Sequence, residues 1–362
     1  MFDQIASFAA LLAACQRAAR GKRTKPGAAA FLANKEHHLV RIADELQAGV
    51  WQPGPYKLLR ITEPKERMVS AAPFADRVVH QALCAQIAPI FERGFIADSY
   101  ANRVGYGTHR AVSRYEHYRD RYSHVLRCDI FRYFPAIDHA VLKADLRWRL
   151  RCPRTVALCD AIIDGSNAQE AVNLYFDGDD LFTPHTRRRG LPIGNLTSQL
   201  FGNVYLNPLD HYVKEVLRVP GYVRYVDDFA LFGNSAEQLA EWRECITQFL
   251  DQRRLRLHPR KTLLEPCAAP ALFLGYVLHP GYRALPEDNV RRFRSRLNSL
   301  RDRWRAGTVE LAEVRQRVGA WLAHAQHAQT WRLETALFNG KHFDPARRAR
   351  VRACAGRKRQ NL

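Results

Sequence analysis

The chain has 362 residues, 47% of them hydrophobic, and it carries 56 Lys and Arg against 36 Asp and Glu, a formal net charge of +20. This length and apolar content exclude a disordered chain and leave room for two or three domains with substantial cores. The basic excess indicates a polyanionic partner, most economically nucleic acid. The alternative is a genome that favours Arg and Ala.

The cysteines, the leader region and the hydropathy bear on where the protein works. The eight cysteines form no C-x-x-C pair, and several lie in apolar runs. This arrangement predicts buried free thiols in a reducing compartment, with neither a disulfide framework nor a zinc knuckle. The first helix lacks the basic start and the cleavage site of a signal peptide, and no apolar run reaches membrane-spanning length. We therefore expect a cytoplasmic protein with no membrane partner.

The N-terminal segment pairs helical periodicity with a basic loop. Apolar residues recur at helical spacing over 2–20 and again over 27–48. Between them, residues 17–26 are basic and contain Gly and Pro. This loop is either a solvated linker or a contact to a phosphate backbone.

A cationic hairpin follows. Two strands are predicted, Tyr56–Ile61 and Glu66–Ser70, with Lys65 and Arg67 on or beside the turn. Two cations on a hairpin suit a triphosphate, because Arg offers a bidentate fork and Lys a point charge. A plain basic turn has the same spacing.

The next stretch contains an acid in an apolar strand. An acid-capped helix is predicted from Asp76 to Phe91, followed by a polar turn in which Arg103 either faces a phosphate or a template base or only fixes the loop. Residues 124–131 are predicted to form a strand that contains Asp129. An unpaired buried carboxylate is costly, so this acid needs a metal or an arginine. Asp138 then caps a helix.

Residues 151–190 have the weakest pattern. They hold a helix and a polar insert with Asp179 and Asp180, for which we predict a surface turn. Gly190–Gln199 then forms a Gly/Pro turn that leads into an apolar helix, Leu200–Leu217. The glycines of this turn allow a ligand to approach the backbone closely.

Residues 222–232 predict a β-hairpin with Asp227 and Asp228 at its tip. Two adjacent carboxylates repel each other unless a cation lies between them, and oxygen ligands suit Mg²⁺. The alternative is a solvated acidic turn. A helix over Ala236–Gln252, a loop with Lys261 and a strand with a turn over Leu272–Tyr276 follow.

A small basic helical domain is predicted from residue 287. Apolar residues alternate at spacings of three and four, which gives each helix one apolar face. The first of its three helices carries six arginines at its other positions, among them Arg291 and Arg294. These favour a duplex backbone as partner over an ordinary bundle with a solvated face.

The order of these features resembles a reverse transcriptase over roughly residues 30–340. It is most similar to the enzymes of diversity-generating retroelements, and is related to group II intron-type and bacterial defence-associated ones. The resemblance implies an α+β right-hand polymerase fold, whose palm is an antiparallel sheet with helices packed on it. The implied segments are 1–48, N-terminal helical and basic; 49–122, fingers; 123–280, palm, with an insertion at about 151–190; 285–340, helical thumb; and 341–362, basic tail.

The resemblance also assigns roles to single residues. Asp129 and Asp227 match the metal-binding acids of the palm, with Asp228 as the third carboxylate. They would hold two Mg²⁺, for which Mn²⁺ could substitute, for nucleotidyl transfer. Phe134 matches the steric gate that selects dNTP over rNTP, and Lys261 matches the lysine that donates a proton to pyrophosphate.

Further roles concern the substrates. Lys65 and Arg67, with Phe134 and Ile193, match dNTP-binding positions, and Gly275 with Tyr276 matches the primer grip. The positions that match template or primer contacts are Arg103, Ser198, Gln199, Tyr225, Gly275, Tyr276, Arg291 and Arg294. The implied partners are template RNA, an RNA–DNA hybrid, dNTPs and an accessory protein subunit.

Ile193 departs from the commoner pattern, which has Gln there. The sequence Ile-Gly-Asn-Leu-Thr-Ser-Gln is similar to the form that accompanies misincorporation opposite template adenine in diversity-generating retroelements. Four other readings stay open: an anti-phage defence reverse transcriptase, a non-catalytic RNA-binding palm protein, an RNA polymerase and a cyclase. The presence of all three acids argues against a dead palm, and Phe134 argues against rNTP use. A cyclase would not need the basic thumb.

Overall fold

The computed structural model describes residues 1–62, 66–339 and 343. Within it the chain divides into two compact units. The first comprises Met1–Tyr118 and Tyr122–Glu265, and the second comprises Arg119–Arg121 and the chain from Pro266 onwards. The expected boundary between palm and thumb, at 280–285, lies inside the second unit, and the five expected segments stay a prediction.

The first unit is built from helices around one large apolar core. Its described α-helices are α1 (Phe2–Ala6), α2 (Phe8–Ala19), α3 (Pro26–Ala33), α4 (Lys35–Ala48), α5 (Phe74–Glu92), α6 (Thr108–Arg119), α7 (Tyr133–Ala136), α8 (His139–Arg149), α9 (Pro153–Asp164), α10 (Thr183–Thr186), α11 (Leu196–His211) and α12 (Ala236–Gln252).

The N-terminal helices are shorter than their periodicity predicts. Ser7 ends α1, and its hydroxyl oxygen accepts a hydrogen bond from the Ala10 amide of α2 at 3.3 Å. A serine at this position caps a new helix rather than continuing the old one. A single helix over 2–20 is therefore wrong. The helix expected over 27–48 is likewise interrupted, at Asn34 between α3 and α4.

The sequence suggested that Asp76 caps a helix, but the structure places Asp76 inside the first turn of that helix. α5 begins at Phe74, and the Asp76 carboxylate accepts a hydrogen bond from the Gly54 amide at 2.8 Å. Burial raises the pKa of Asp76 to about 6. The acid thus ties α5 to the chain that precedes the hairpin.

Two antiparallel strands, β1 (Lys57–Ile61) and β2 (Arg67–Ala71), form the expected cationic hairpin. The last pair before the connection between the two strands is Ile61 with Arg67. Lys65 lies outside the described residues, and Arg67 is the first residue of β2.

The first unit also contains a four-stranded sheet, in which strands distant in sequence become neighbours. β3 pairs with β5 from Cys128↔Phe229 to His124↔Gly233, and β4 pairs with β5 from Tyr225↔Asp228 to Gly221↔Phe232. Its strands are β3 (His124–Cys128), β4 (Gly221–Tyr225), β5 (Asp228–Gly233) and β6 (Leu263–Pro266), in the spatial order β4-β5-β3-β6. This central sheet with helices around it is the expected palm architecture.

Asp129 follows β3 instead of lying within it. Beyond Cys128 the chain leaves the sheet and pairs with residues 256–258: the Phe131 amide donates to the Arg256 carbonyl at 2.9 Å and the His258 amide to the Asp129 carbonyl at 2.7 Å. The expected strand over 124–131 is therefore three residues too long, because a second backbone partner replaces the sheet.

The apolar helix after the Gly/Pro turn begins earlier than expected. α11 starts at Leu196, and after His211 the chain continues as a π-helical turn, Tyr212–Val216. Eleven of the sixteen residues of α11 are buried, among them Asp210, whose carboxylate is fully buried.

The polar insert contains one buried acid. Asp179 forms an ion pair with Arg187, and the side chains of both are almost fully buried. Its carboxylate also accepts a hydrogen bond from the Phe176 amide at 2.8 Å. A surface turn at Asp179 is therefore wrong, because the arginine run after the insert supplies a buried partner. Asp180 is exposed.

The second unit contains a small sheet and the expected basic helices. The Phe293 ring stacks on Trp321 with centroids 3.9 Å apart, so the apolar faces of two helices meet as their spacing predicts. The elements are β7 (Ala271–Phe273), β8 (Tyr276–His279), β9 (Tyr282–Ala284), α13 (Glu287–Arg305), α14 (Leu311–Ala325) and α15 (Trp331–Phe338).

The cysteines of the described ranges are all free, and most are buried. Burial raises the pKa of the Cys84 thiol to about 12, which keeps it protonated and unreactive. No helix between residues 1 and 62 or between 66 and 339 combines the length and apolar character that a membrane crossing needs.

Candidate active site

The Asp-Asp hairpin forms as the sequence predicts. Tyr225 pairs with Asp228, so that Val226 and Asp227 make the turn and Asp228 begins β5. Val226 has φ 57°, a left-handed conformation that is unusual for a β-branched residue. The turn is therefore strained and needs support from its surroundings.

Asp129 lies beside this turn because of the strand register. The pairing of Cys128 with Phe229 brings the residue after β3 next to the start of β5. The side chains of Asp129 and Asp228 share a hydrogen bond. Burial, the neighbouring Asp227 and Asp129 charges and this hydrogen bond raise the pKa of Asp228 to about 7, although Lys261 acts in the opposite direction.

Lys261 joins the acids from a distant part of the chain. Its ammonium nitrogen donates to Asp129 Oδ2 at 2.7 Å, and its backbone amide donates to the His258 carbonyl at 3.2 Å. The His258 amide in turn donates to the Asp129 carbonyl. The backbone contact that draws the chain away from the sheet after β3 therefore also sets the position of Lys261. Asp129 thus pairs with a lysine, where the sequence suggested a metal or an arginine.

Neighbouring carboxylates beside a lysine have the chemistry of a divalent-cation site. A cation bound between them would remove the repulsion that raises the pKa of Asp228, and carboxylate oxygens are the ligands that Mg²⁺ prefers. Among the described residues, no three His, Cys, Asp or Glu side chains are arranged as a ready-made metal cage. The oxygen ligands that this region offers to a cation are the carboxylates of Asp129 and Asp228, with the carboxylate of Asp227 beside them in the turn.

A buried ion pair that the sequence did not indicate supports the turn. The Arg224 guanidinium donates to both carboxylate oxygens of Asp210 at 2.6 Å, and both side chains are fully buried. It also donates to the Val226 carbonyl at 3.0 Å. Burial alone would lower the pKa of Arg224, but the adjacent Asp210 outweighs it and the pKa is raised. The only local indication in the sequence was that Arg224 lies among apolar and aromatic residues of β4, where a buried guanidinium needs a partner.

The sequence left open whether Arg103 faces a nucleic acid or fixes a loop. In the structure its guanidinium holds a loop together. Its guanidinium donates to the carbonyls of Ile96 and Ser99, both at 2.8 Å. This loop pairs with β4: the Arg224 amide donates to the Asp98 carbonyl at 2.9 Å. Arg103 therefore stabilises the loop that pairs with the strand leading into the Asp227–Asp228 turn.

Phe134 lies on α7, directly after the segment that holds Asp129. Its ring packs against the glycine of α11 at position 202, where an added Cβ would lie 3.4 Å from Phe134 Cε1. The Tyr133 hydroxyl donates to the Gly202 carbonyl at 2.5 Å. The half-buried ring is thus held between two elements of the first unit.

The Gly/Pro turn contacts the cationic hairpin through its backbone. The Ser70 amide of β2 donates to the Ile193 carbonyl at 3.1 Å. Gly194 has φ 112°, and a Cβ there would lie 2.9 Å from Val69 Cγ1. Ile193 therefore borders β2, and the close approach explains the glycine.

The other candidate residues of this unit lie on neighbouring elements. Ser198 is buried on α11, and Gln199 is half-buried one residue later. Tyr225 is half-buried at the end of β4, and its hydroxyl accepts a hydrogen bond from the Thr108 hydroxyl at 3.2 Å.

A comparison with protein families agrees with this geometry. A family model described as reverse transcriptase (RNA-dependent DNA polymerase) matches residues 61–278, more than half of the chain. The chain belongs to the reverse transcriptase family. Membership supports RNA-templated DNA synthesis as its general activity and confirms the expected α+β right-hand polymerase fold.

Individual relatives of this reverse transcriptase are distant. The chain is 25% identical over 310 residues to protein YkfC of Escherichia coli K12, covering 72% of this chain and 78% of that protein. It is 20% identical over 307 residues to the group II intron-encoded protein LtrA of Lactococcus lactis, covering 67% and 49%.

Solved structures similar to this reverse transcriptase include telomerases from Candida tropicalis and Candida albicans. Their TM-scores are 0.46 and 0.44, at 12% and 11% identity, over 64% and 68% of this chain and 55% and 50% of theirs. The chain thus spans about half the length of LtrA and of the telomerase chains.

The first unit of this reverse transcriptase also contains a polar cavity of about 360 Å³. It lies where the basic loop of residues 17–26 meets β2, α5 and the start of α11. His80, at its wall, is buried with no hydrogen-bond partner for either ring nitrogen, and burial lowers its pKa to about 4. The polar and charged lining residues are Arg17, Arg20, Lys22, Ser70, Arg77, His80, Gln81, Asn195 and Gln199.

The remaining candidates lie in the second unit. Gly275 has φ 87° in the turn between β7 and β8. The Tyr276 hydroxyl lies 2.9 Å from His324 Nδ1 and donates to the His324 carbonyl at 3.1 Å. Arg291 and Arg294 are exposed on α13, and Arg291 pairs with Asp288 at 2.5 Å. A role of these four residues in binding primer or template stays a prediction.

Proposed function

We propose that this chain synthesises DNA on an RNA template by nucleotidyl transfer. The observation that carries the proposal is the meeting of three acids and a lysine at one end of the sheet of a reverse transcriptase family member. The register of the strands sets Asp129 beside the Asp227–Asp228 turn, and Lys261 Nζ donates to Asp129 Oδ2 at 2.7 Å. Such a group of acids binds the cations that in-line displacement at phosphorus requires.

We infer that Asp129, Asp227 and Asp228 hold two Mg²⁺, or Mn²⁺ in their place. Bound there, the ions would activate the primer 3′-hydroxyl and stabilise the charge of the leaving pyrophosphate. Lys261, whose ammonium nitrogen lies 2.7 Å from Asp129 Oδ2, would give a proton to the pyrophosphate oxygen as it departs. Lys65 and Arg67 bind the triphosphate from the hairpin, and Phe134 excludes a ribose 2′-hydroxyl.

Primer extension on an RNA template with dNTPs and Mg²⁺ tests this function. The intact chain should extend the primer, and Asp227→Ala with Asp228→Ala should abolish extension while leaving RNA binding in place. Lack of extension by the intact chain, supplied with its cognate RNA and any accessory subunit, would rule the function out and favour a non-catalytic RNA-binding palm.

The polar cavity supports a proposal for the template. Arg17, Arg20 and Lys22 place three cations at one side of it, and Gln199 lies at another. Phosphate groups of template RNA would be attracted there. Replacing the three cations with Gln should weaken binding of single-stranded RNA and flatten its salt dependence. Unchanged affinity would refute the assignment.

The finer proposal is error-prone copying of a template RNA in a diversity-generating retroelement, the process called mutagenic retrohoming. It is supported by Ile193, which can only pack where Gln could hydrogen-bond to an incoming nucleotide. Ile193→Gln should lower misincorporation opposite template adenine, measured by sequencing the products. An unchanged error spectrum, or flanking DNA without a template and variable repeat pair, would instead favour antiviral defence.

A further inference from the structure

We propose that Arg224 and Asp210 are positioning residues for catalysis, which hold the acidic turn in its strained conformation. This inference rests on the proposed function and extends it to two residues that would contact neither metal nor nucleotide. Four hydrogen bonds of one guanidinium carry the argument.

The pair is a rigid, fully buried clamp. Arg224 Nε donates to Asp210 Oδ1 and Nη2 to Asp210 Oδ2, each at 2.6 Å, a bidentate arrangement that fixes the guanidinium plane. The Tyr222 hydroxyl also donates to Asp210 Oδ1, at 2.8 Å. The third nitrogen, Nη1, donates to Asn203 Oδ1 at 3.3 Å and to the Val226 carbonyl at 3.0 Å.

The contact with the Val226 carbonyl determines where Asp227 lies. That carbonyl belongs to the peptide unit that joins Val226 to Asp227, and a peptide unit is planar. Fixing its oxygen therefore fixes the position of the Asp227 backbone. Val226 has φ 57°, which is unfavourable for a β-branched residue. If the Val226 carbonyl oxygen were released, the turn would therefore relax to an ordinary backbone conformation, and the Asp227 side chain would move away from those of Asp129 and Asp228.

Lysine cannot replace this arginine, because an ammonium group lacks the planar fork that reaches Asp210 and Val226 together. Arg224→Lys should therefore reduce the single-turnover rate of dNTP addition by about a hundredfold, the usual effect of misplacing a catalytic group by about 1 Å. The dissociation constant of the primer–template should stay within about twofold, because the clamp does not face nucleic acid.

Arg253→Lys provides a matched control. Arg253 pairs with the partly buried Asp145 and donates to the Tyr205 carbonyl at 3.0 Å, in the same unit but with no contact to the turn. The Arg253→Lys substitution should lower thermal stability without changing the affinity for Mn²⁺. This affinity is measured by electron paramagnetic resonance as Mn²⁺ is added to the metal-free protein. Arg224→Lys should weaken Mn²⁺ binding by about tenfold, the effect of a misplaced ligand shell.

A second substitution separates positioning from a general loss of fold. Glycine adopts positive φ without penalty, so Val226→Gly should restore most of the rate and of the Mn²⁺ affinity lost in Arg224→Lys. A merely structural clamp would show no such rescue. If Arg224→Lys does not fold, Arg224→Met with Asp210→Leu removes both buried charges together and tests the same loss.

Two results would overturn the inference: an Arg224→Lys protein that behaves like Arg253→Lys, or the absence of any recovery with Val226→Gly. These outcomes are distinct from failure of the proposed function. If the unaltered chain does not extend a primer, the Mn²⁺ measurement still reports whether Arg224 controls the geometry of the acids.

Discussion

Phe134 is the side chain at which the packing of the protein bears most directly on the proposed sugar selection. Its ring rests against Gly202 of α11, so its position is set by the protein and not by a substrate. A ring held this rigidly can act as a barrier, since a bound ribose could not push it aside without disturbing α11. Selection against the 2′-hydroxyl would then be a property of the fold.

Phe134→Ala should therefore relax sugar selection. The ratio of rNTP to dNTP incorporation, measured in single-nucleotide extension, should rise about 10- to 100-fold because the ribose 2′-hydroxyl gains space. Phe134→Tyr keeps the ring and serves as the control. A Phe134→Ala protein with unaltered sugar preference would show that another group forms the gate.

His80 gives a prediction for stability against pH. It is buried, its pKa is about 4 in the folded chain, and an unfolded histidine titrates near 6.5. Between these values the unfolded state binds the additional proton, so the free energy of unfolding should fall as the pH drops from 6.5 to 4, by at most about 3 kcal/mol. Urea unfolding should show a flatter dependence for His80→Leu. Parallel curves for the two proteins would contradict this.

At the scale of elements, one backbone contact joins the Gly/Pro turn to the cationic hairpin. The Ser70 amide donates to the Ile193 carbonyl, and Gly194 lies so near Val69 that an added Cβ would be only 2.9 Å from Val69 Cγ1. Ile193, which we propose packs beside an incoming nucleotide, is thereby coupled to the hairpin expected to bind the triphosphate of that nucleotide.

Gly194→Ala should disturb this junction in two ways. A side chain at φ 112° costs about 1 to 3 kcal/mol of backbone strain, and its Cβ would meet Val69 at 2.9 Å. Gly105→Ala is the control, because Gly105 has φ 79° with no atom within 4 Å of the new Cβ. In thermal unfolding Gly194→Ala should lose more stability than Gly105→Ala, and it should also raise the KM for dNTPs. Equal losses would refute a steric role.

For the whole molecule the dominant property is a net charge of +20. Exposed arginines on α13, including Arg291 and Arg294, place part of this charge on one helix of the second unit. Binding to an RNA–DNA hybrid should therefore release counterions and weaken steeply with salt.

Arg291→Gln with Arg294→Gln should reduce the slope of log affinity against log salt by about 1.5 to 2, if each arginine neutralises one phosphate. Fluorescence anisotropy with a labelled hybrid measures this slope. Substituting Arg147, which pairs with Asp160 on a helix of the first unit, is the control and should leave the slope unchanged. If both variants have the same slope, α13 is not the binding face.

Local patterns in the sequence predicted much of this arrangement. The bounds of α12 and the Asp138 cap, which accepts hydrogen bonds from the Ala140 and Val141 amides, follow from short-range chemistry. The acidic hairpin follows from its alternating strand residues. All of these are decided within a few residues of the chain.

Contacts between distant residues were not predictable in the same way. Asp129 and Lys261 are 132 positions apart, and they meet only because the backbone of residues 129–131 pairs with that of residues 256–258. For Arg224 the apolar residues around it were the only local sign of burial. They did not identify its partner, because Asp210 lies on a helix whose pattern indicated only an apolar face. Apolar periodicity predicted one helix over residues 2–20, but the Ser7 hydroxyl caps a new helix and so divides this segment into α1 and α2.

The complete burial of Arg224 and Asp210 has a kinetic consequence. Mobile ions cannot enter that part of the molecule, so added salt leaves the attraction within the pair almost unscreened. The exposed arginines of α13, which we expect to contact nucleic acid, are open to the same ions. Salt should therefore raise the primer–template concentration needed for half-maximal rate and leave the maximal rate per bound complex almost constant. Capture of the substrate and its chemical conversion respond to different variables, so a cell could tune the first without disturbing the second.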